Sequence, residues 1–265
     1  MSTPVTDVDA LTAFLAQVAH EHAPLVQVSS LGPEDMLISE AIARARLPIL
    51  VVTIDTGRLP VETCTLIAQA QARWAASGLA VEVIFPEAPA VEAFVHQHGI
   101  NGFYDSVAAR QACCEARKVR PLARALAGQR GWVTGLRRAQ SAERAGITEI
   151  AWDIPPAADA PGRVKINPLA HWRDDALWAA LRALAVPVNA LHALGYTSIG
   201  CAPCTRAVAP GEDPRAGRWW WEQAEVKECG LHVGADGRLR RGIALHTPPT
   251  APTPDHPAAH TETQP

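Results

Sequence analysis

The sequence has no apolar run approaching the roughly 20 residues that a membrane-spanning helix needs, so no membrane association is expected. It has no excess of positive charge. Its 24 Lys and Arg stand against 27 Asp and Glu, a net charge of −3. That excludes a general nucleic-acid or polyanion binder, so an anionic ligand must meet locally clustered cations. No basic stretch precedes an apolar one between Met1 and Ala10, so a secretory leader is not expected. No internal repeat is visible. The turn Ser29-Ser30-Leu31-Gly32-Pro33-Glu34-Asp35 lacks the Lys-Ser/Thr ending of a Walker loop, which argues against a clamp on β,γ-phosphates and Mg²⁺. Cysteine is sparse, six residues in all. Without a leader, a reducing, cytoplasmic setting is expected, where paired cysteines are more often metal ligands or redox groups than disulfides.

Hydrophobic residues make up 48% of the 265-residue chain, enough for one large α/β domain or two small ones. Periodicity predicts helices over Val8 to His22, Glu34 to Arg46, Pro60 to Ala76 and Trp172 to Leu184, with a short one over Asn189 to Leu194. It predicts strands over Leu25 to Ser29, Ile49 to Asp55 and Ala80 to Phe85, with further strands within Gly131 to Leu136 and Lys165 to Leu169. This alternation predicts an α/β fold, a parallel sheet with helices on both faces. Residues 1–24 form an N-terminal helical segment, and 195–245 read as a C-terminal arm packed on the sheet domain. The tail 246–265, rich in Pro, Thr, Ala and His, reads as disordered.

Cys113-Cys114 and Cys201-Ala202-Pro203-Cys204 make two thiol pairs, with 86 residues between Cys114 and Cys201. A single Cys-x-x-Cys is a zinc half-site, a redox pair or chance; a second pair favours a four-sulfur metal site. Vicinal ligands are awkward for one small tetrahedral zinc ion. A larger cluster offers separate corners, so one [4Fe–4S] cluster per chain is preferred. Arg117, Lys118 and Arg120 would offset its negative charge.

The Ser30–Gly32 turn follows a strand and opens a helix, so its backbone N–H groups can face an anion; an ordinary β–α turn is the plain alternative. Asp55-Thr56-Gly57-Arg58 follows the second strand, at the end where α/β sheets bind ligands. Arg137 and Arg138, and Arg215 with Arg218, suit phosphate or sulfate oxygens, although paired surface arginines are usually just solvated. Trp219-Trp220-Trp221 reads as packing for the arm. Cys229, in Glu228-Cys229-Gly230-Leu231-His232, stands apart from the metal set. It has no second cysteine to close a local disulfide, and upstream cations with His232 favour a reactive thiolate. Cys64, mid-helix beside Thr63, Leu66 and Ile67, reads as a small buried thiol.

Taken in order, these segments resemble the assimilatory adenylylsulfate reductases, within the wider 3′-phosphoadenylylsulfate reductase family. The matching segments run from Ser30-Leu31-Gly32-Pro33-Glu34-Asp35 and Thr53-Ile54-Asp55-Thr56-Gly57-Arg58-Leu59-Pro60 through Cys113-Cys114-x-x-Arg117-Lys118-x-x-Pro121-Leu122. They continue with Gly135-Leu136-Arg137-Arg138-x-Gln140-Ser141, Lys165-x-Asn167-Pro168-Leu169, the Cys201/Cys204 pair and Glu228 to His232. The resemblance implies an adenine-nucleotide α-hydrolase-like fold over residues 1–245. It implies that Ser30, Gly32, Asp55 and Gly57 hold the adenosine part. Lys118, Arg137 or Arg138, Arg215, Arg218 and His232 would surround the phosphosulfate. Cys113, Cys114, Cys201 and Cys204 would bind the [4Fe–4S] cluster, and Cys229 would be the nucleophile. The implied activity is reduction of adenylylsulfate to sulfite and AMP through an S-sulfocysteine, with thioredoxin or glutaredoxin as donor, in sulfate assimilation and cysteine biosynthesis. The rivals are reduction of 3′-phosphoadenylylsulfate, whose enzymes lack the cluster cysteines; an ATP-using synthetase or sulfur-transferase of the same fold; and a non-catalytic iron–sulfur or zinc module. A homo-oligomer is left open. Pro33 stands where family members often have Ala, which a helix start tolerates.

Overall fold

The computed structural model describes residues 7–141, 144–154 and 162–222, and the backbone of 231–233 and 239–241. Expectations for Cys229 and for the tail 246–265 lie outside the described residues. Six strands form one sheet in the order β3-β2-β1-β4-β6-β5. They are β1 (Leu25–Ser29), β2 (Ile49–Ile54), β3 (Val81–Ile84), β4 (Gly131–Val133), β5 (Ile150–Ile154) and β6 (Arg163–Ile166). All neighbours are parallel except β5, which runs antiparallel to β6 at the edge. The predicted parallel sheet is therefore present, with one antiparallel edge strand that periodicity did not reveal.

Helices α1 (Val8–His22), α2 (Pro33–Ala45) and α3 (Val61–Trp74) pack on one face through Leu11, Leu15, Met36, Leu37, Ile42 and Leu66. Asp7 caps α1 by accepting from the Ala10 amide at 2.8 Å. Pro33 opens α2, where its missing N–H costs nothing. After α4 (Ala88–His98), the chain forms one long helical rod. It comprises α5 (Val107–Cys114), a wide π turn over Glu115–Val119 and α6 (Arg120–Leu126). Pro121 has no N–H to donate back along this rod, so the ladder is interrupted where the turn widens. The sequence pattern did not show this rod, because its apolar positions shift phase at the π turn. α6 covers the opposite sheet face through Leu122, Ala125 and Leu126 against Val26, Val52 and Trp132. α7 (Asp174–Ala183) returns to the first face.

The sheet order places β2 on one side of β1 and β4 on the other, so the strand order reverses between β1 and β4. That crevice, at the carboxyl ends of the strands, is where open α/β sheets take ligands. A strap from Gly195 to Glu222 packs Cys204 and Trp219 against Phe94 and Phe103, forming a small separate core at the same end. β7 (Leu231–Val233) and β8 (Leu239–Arg241) pair antiparallel beyond it. Among the described residues, no helix is long and apolar enough to cross a membrane.

Candidate active site

A cavity of about 780 Å³ opens over the β1/β4 crevice and runs to the strap. Its wall combines Ser30, Thr56, Lys118 and Arg218 with all four paired cysteines. Residues from four distant stretches of sequence thus meet in one space.

The turn after β1 is folded onto the first turn of α2. The Ser30 amide and hydroxyl both donate to Asp35 Oδ2, at 2.7 Å each. Buried Leu31 holds a positive φ of 61°. Gly135, from the β4 end, packs so closely that a side chain there would approach Asp35 Oδ1 to 2.6 Å. Burial pushes the Asp35 carboxyl up to about 6, against the pull of the two Ser30 hydrogen bonds, with Glu34 adding repulsion.

The turn after β2 is the junction between crevice and strap. The Gly57 amide donates to Asp55 Oδ1 at 2.8 Å, with Gly57 at φ 69°. That left-handed backbone and the Arg117 guanidinium 3.3 Å from where a Cβ would sit leave little room for any other residue. Arg117 donates to the Thr56 carbonyl at 2.8 Å. The Thr56 hydroxyl lies 3.2 Å from Cys201 Sγ. Arg58 stacks over Phe103 at 5.0 Å, and its carbonyl accepts from the Ala202 amide at 2.8 Å.

Cys113 and Cys114 end α5, so the adjoining π turn carries Arg117 and Lys118 to the same end of the cavity. Cys201 and Cys204 flank a single 3₁₀ turn on the strap. All four are free thiols. Burial pushes Cys204 up to about 12, with the neighbouring Cys201, Cys114 and Cys113 adding to it. Cys113 is raised by burial against the pull of Arg117. Cys204 therefore feels the other three sulfurs. Among the described residues, no three His, Cys, Asp or Glu side chains converge closely enough for one metal ion. Four cysteine thiols are a donor set that zinc and iron–sulfur groups both take.

The predicted arginines fall into different places. Arg218 lines the cavity, lies 4.8 Å from the Trp219 ring, and keeps a buried Nε without a hydrogen-bond acceptor among the described residues. A side chain at Gly200 would meet its guanidinium, so Arg218 sits directly over the Gly200 backbone. Arg137 is 4% exposed and is held by Glu34 at 2.8 Å, Asp174 at 2.5 Å and the Trp172 carbonyl at 3.1 Å. It stands outside the cavity lining. Arg138 is exposed and donates to the Ile147 carbonyl at 2.6 Å. Arg215 lies in the turn before Arg218, its amide donating to Asp213 Oδ1 at 2.7 Å. Gly32 caps α2 through its backbone, outside the lining. His232 belongs to β7, where it pairs with Arg240. Cys64 is exposed, not buried as its neighbours suggested: α3 turns Thr63, Leu66 and Ile67 inward and leaves position 64 on the outer face.

Arg58, Phe103, Arg110 and Trp219 also line the cavity. Arg110 pairs with Glu222. No local signal marks that pair, because its partners are 112 residues apart.

The fold and site define an α/β domain with a ligand-sized crevice at the carboxyl ends of its parallel strands. The chain belongs to the phosphoadenosine phosphosulfate reductase domain family, whose match covers residues 24–207. The chain is 53% identical over 82% of its length to an adenosine 5′-phosphosulfate reductase of Allochromatium vinosum, covering 82% of that protein. It is 49% identical over 85% of its length to the enzyme of the same name from Burkholderia cepacia, covering 87% of that protein. Among solved structures it resembles phosphoadenylyl-sulfate (PAPS) reductase from Candida auris, in a phosphate complex. The TM-score is 0.59 and the identity 25%, over 78% of this chain and 99% of that one.

Proposed function

We propose that this chain reduces adenylylsulfate to sulfite and AMP. The observation that carries the reading is the convergence of four free cysteines, Lys118 and Arg218 on one cavity at the β1/β4 crevice. The named relatives at about half identity support it. The reductase unit is proposed to span residues 1–245.

Ser30, Gly32, Asp55 and Gly57 shape the nucleotide end, presenting backbone groups at two strand ends. Lys118 and Arg218 offset the charge of the phosphosulfate, with Arg137 behind them holding Glu34 and with it the start of α2. Arg138, Arg215 and His232 are proposed as an outer ring. Their charge is needed because a thiolate must approach an anion.

The proposed nucleophile is Cys229. Its thiolate attacks the sulfur of the phosphosulfate, the S–O bond to phosphate breaks, and AMP leaves with the electron pair. A thiol of a thioredoxin or glutaredoxin then attacks the Cys229 sulfur and expels sulfite. The donor's second thiol closes its own disulfide and returns Cys229 as a thiol. The dithiol thus supplies both electrons that reduce the sulfonyl sulfur.

Cys113, Cys114, Cys201 and Cys204 are proposed to hold one [4Fe–4S] cluster. When bound, it would supply a fixed charge at the cavity end and tie α5 to the strap. A reducing, cytoplasmic setting suits four free thiols.

Comparing kcat/KM for adenylylsulfate and its 3′-phosphorylated form, with thioredoxin as donor, tests the reading. A preference for adenylylsulfate is expected. Equal or reversed preference would favour the 3′-phosphoadenylylsulfate activity of the Candida auris relative.

A further inference from the structure

Lys165 and Asn167 belong to one short segment, yet the fold uses them differently. Asn167 is engaged within the protein: its Oδ1 accepts from the Thr134 hydroxyl at 2.6 Å, and its Nδ2 donates to the Thr148 carbonyl at 2.8 Å. Lys165 lies on β6 between Val164 and Ile166, which are 3% and 0% exposed and belong to the core under α1, α2 and α7. Alternation along the strand sends Lys165 to the other sheet face, beside its register partners Trp132 of β4 and Ala151 of β5. On that face the core under α6 ends at Trp132. Beyond it, the cavity continues over Lys165, Ala151 and Asp153.

The half-buried Lys165 places its ammonium 4.8 Å from the centroid of the Trp132 ring. No hydrogen-bond acceptor holds that ammonium among the described residues. Asp153 attracts it, but Asp153 Oδ2 already accepts from Trp132 Nε1 at 3.1 Å and from Arg163 Nε at 2.8 Å. Burial pulls the Lys165 ammonium below its usual range, against the attraction of Asp153 and with repulsion from Arg144. A ring face returns less than an ammonium loses on leaving water. This cation is therefore poised for a group that the described residues do not supply. The charges acting on Lys165 are Asp153 and Arg144, whereas those acting on Cys113 and Cys204 include Arg58, Arg117 and Arg218. The cavity thus has two cationic poles, one at the thiols and one over β4 and β6. At about 780 Å³ it lies towards the upper end of the roughly 300–1,000 Å³ that ligand sites span, which leaves room for both to be occupied.

We propose that Lys165, with Arg144 near it, forms a second oxyanion subsite in the cavity, separate from the Lys118 and Arg218 pole, for one phosphate or sulfate group. Arg144 also lines the cavity and donates to Gln140 Oε1. The group is either a free inorganic anion or a phosphate carried on the ribose of the nucleotide. The role rests on the reading that the phosphosulfate takes the thiol end. A ribose 3′-phosphate held at Lys165 would narrow the preference for adenylylsulfate, which makes Lys165 a specificity residue in that case.

The test titrates the full chain, with its metal site loaded, by calorimetry in a chloride buffer. The ligands are AMP, adenosine 3′,5′-bisphosphate, and sodium sulfate added to AMP-saturated protein. Lys165→Met keeps an apolar stem on Trp132 and removes the charge; Lys165→Arg keeps the charge. In the wild-type chain, either the bisphosphate binds about ten- to a hundredfold tighter than AMP, the scale of one charge-assisted hydrogen bond, or sulfate binds the AMP-saturated protein. Lys165→Met is expected to erase that gain and Lys165→Arg to keep most of it, with AMP affinity within about threefold in both, on the scale of scatter between variants. A bisphosphate gain assigns the ribose phosphate, and the kcat/KM preference for adenylylsulfate then widens in Lys165→Met. Sulfate binding without a bisphosphate gain assigns a free anion. Should Lys165→Met not fold, Arg144→Gln weakens the same pole from its other side and is expected to reduce the same gain. A wild-type chain that shows neither gain, or a folded Lys165→Met that keeps it, would overturn the proposal. So would an equal loss of AMP and bisphosphate affinity, which would place Lys165 at the shared 5′-phosphate. A wild-type chain that binds no AMP would sink the nucleotide reading by itself. Sulfate binding to the free protein, lost in Lys165→Met and kept in Lys118→Ala, would then still decide for this subsite, and its absence against it.

Discussion

The Thr56 hydroxyl and the Cys201 sulfur lie 3.2 Å apart, although 145 residues separate them in sequence. The contact joins the turn after β2 to the strap. The same hydroxyl accepts from the Arg58 amide at 3.3 Å, and the Thr56 carbonyl accepts from Arg117. One residue therefore joins the turn after β2, the π turn and the proposed metal site. Thr56→Val removes the hydroxyl but keeps the shape. Anaerobically purified wild-type protein is expected to contain four iron and four sulfide per chain, with broad visible absorption. The Val variant should load similarly and bleach faster in air. Zinc at one per chain with no iron would refute the cluster; equal bleaching would remove Thr56 from its support.

Lys118 and Arg218 should behave differently from Arg137. The first two line the cavity, and Arg218 keeps an unmet buried donor. Lys118→Ala or Arg218→Ala should weaken nucleotide binding by about 1.5–3 kcal/mol, the scale of a charge-assisted hydrogen bond, with the melting temperature nearly unchanged. Arg137→Ala leaves the half-buried Glu34 without its cation and should cost up to about 3 kcal/mol of stability, the low end of the range for a buried pair. Equilibrium AMP binding and urea denaturation of all three variants decide this. A stable Arg137→Ala variant with lost nucleotide affinity would move Arg137 into the anion site.

Asp35 should make stability fall as pH rises. Its carboxyl is raised from 3.8 to about 6 in the folded chain. Between those values the folded state binds more protons than the unfolded state. The unfolding free energy therefore declines from about pH 4 to about pH 6, by at most about 3 kcal/mol. Asp35→Asn cannot ionise, yet its carbonyl can still accept from Ser30. The difference in urea stability between wild type and Asp35→Asn should be flat below pH 4 and shift in favour of the variant by pH 7. A difference independent of pH would show that Asp35 is not raised.

Cys229→Ser should abolish turnover while leaving iron content and AMP binding intact. In the wild-type chain, adenylylsulfate without a donor should add one SO₃ to the Cys229 peptide, released as sulfite on adding thioredoxin. Full turnover by the Ser variant, or an adduct on exposed Cys64, would identify a different nucleophile.

Most of the sheet was legible in sequence because its elements are local. Leu25–Ser29, Ile49–Ile54 and Val81–Ile84 are short β-rich runs alternating with helical periods, and they lie within a residue of the expected bounds. The two thiol pairs and the turns after β1 and β2 were legible as segments too, because paired cysteines and turn residues stand out by residue type. The helix over 107–126 was not, since a π turn breaks its period in the middle. Nor was the antiparallel edge strand β5, whose direction depends on which neighbour it pairs with.

By itself, the sequence determined an α/β chain with two thiol pairs, a separate Cys229 and clustered cations. Its local periodicities and residue chemistry required no knowledge of contacts. Only the tertiary structure decided which cations face the cavity. Arg137 and Arg218 look alike in sequence, yet one is closed around Glu34 and Asp174 and the other opens onto the thiols. It also decided that Thr56 meets Cys201 and Arg110 meets Glu222. Such pairings depend on how strands order about β1 and on how the strap returns over α5. Those are consequences of burying two apolar sheet faces at once, which no local stretch of sequence encodes.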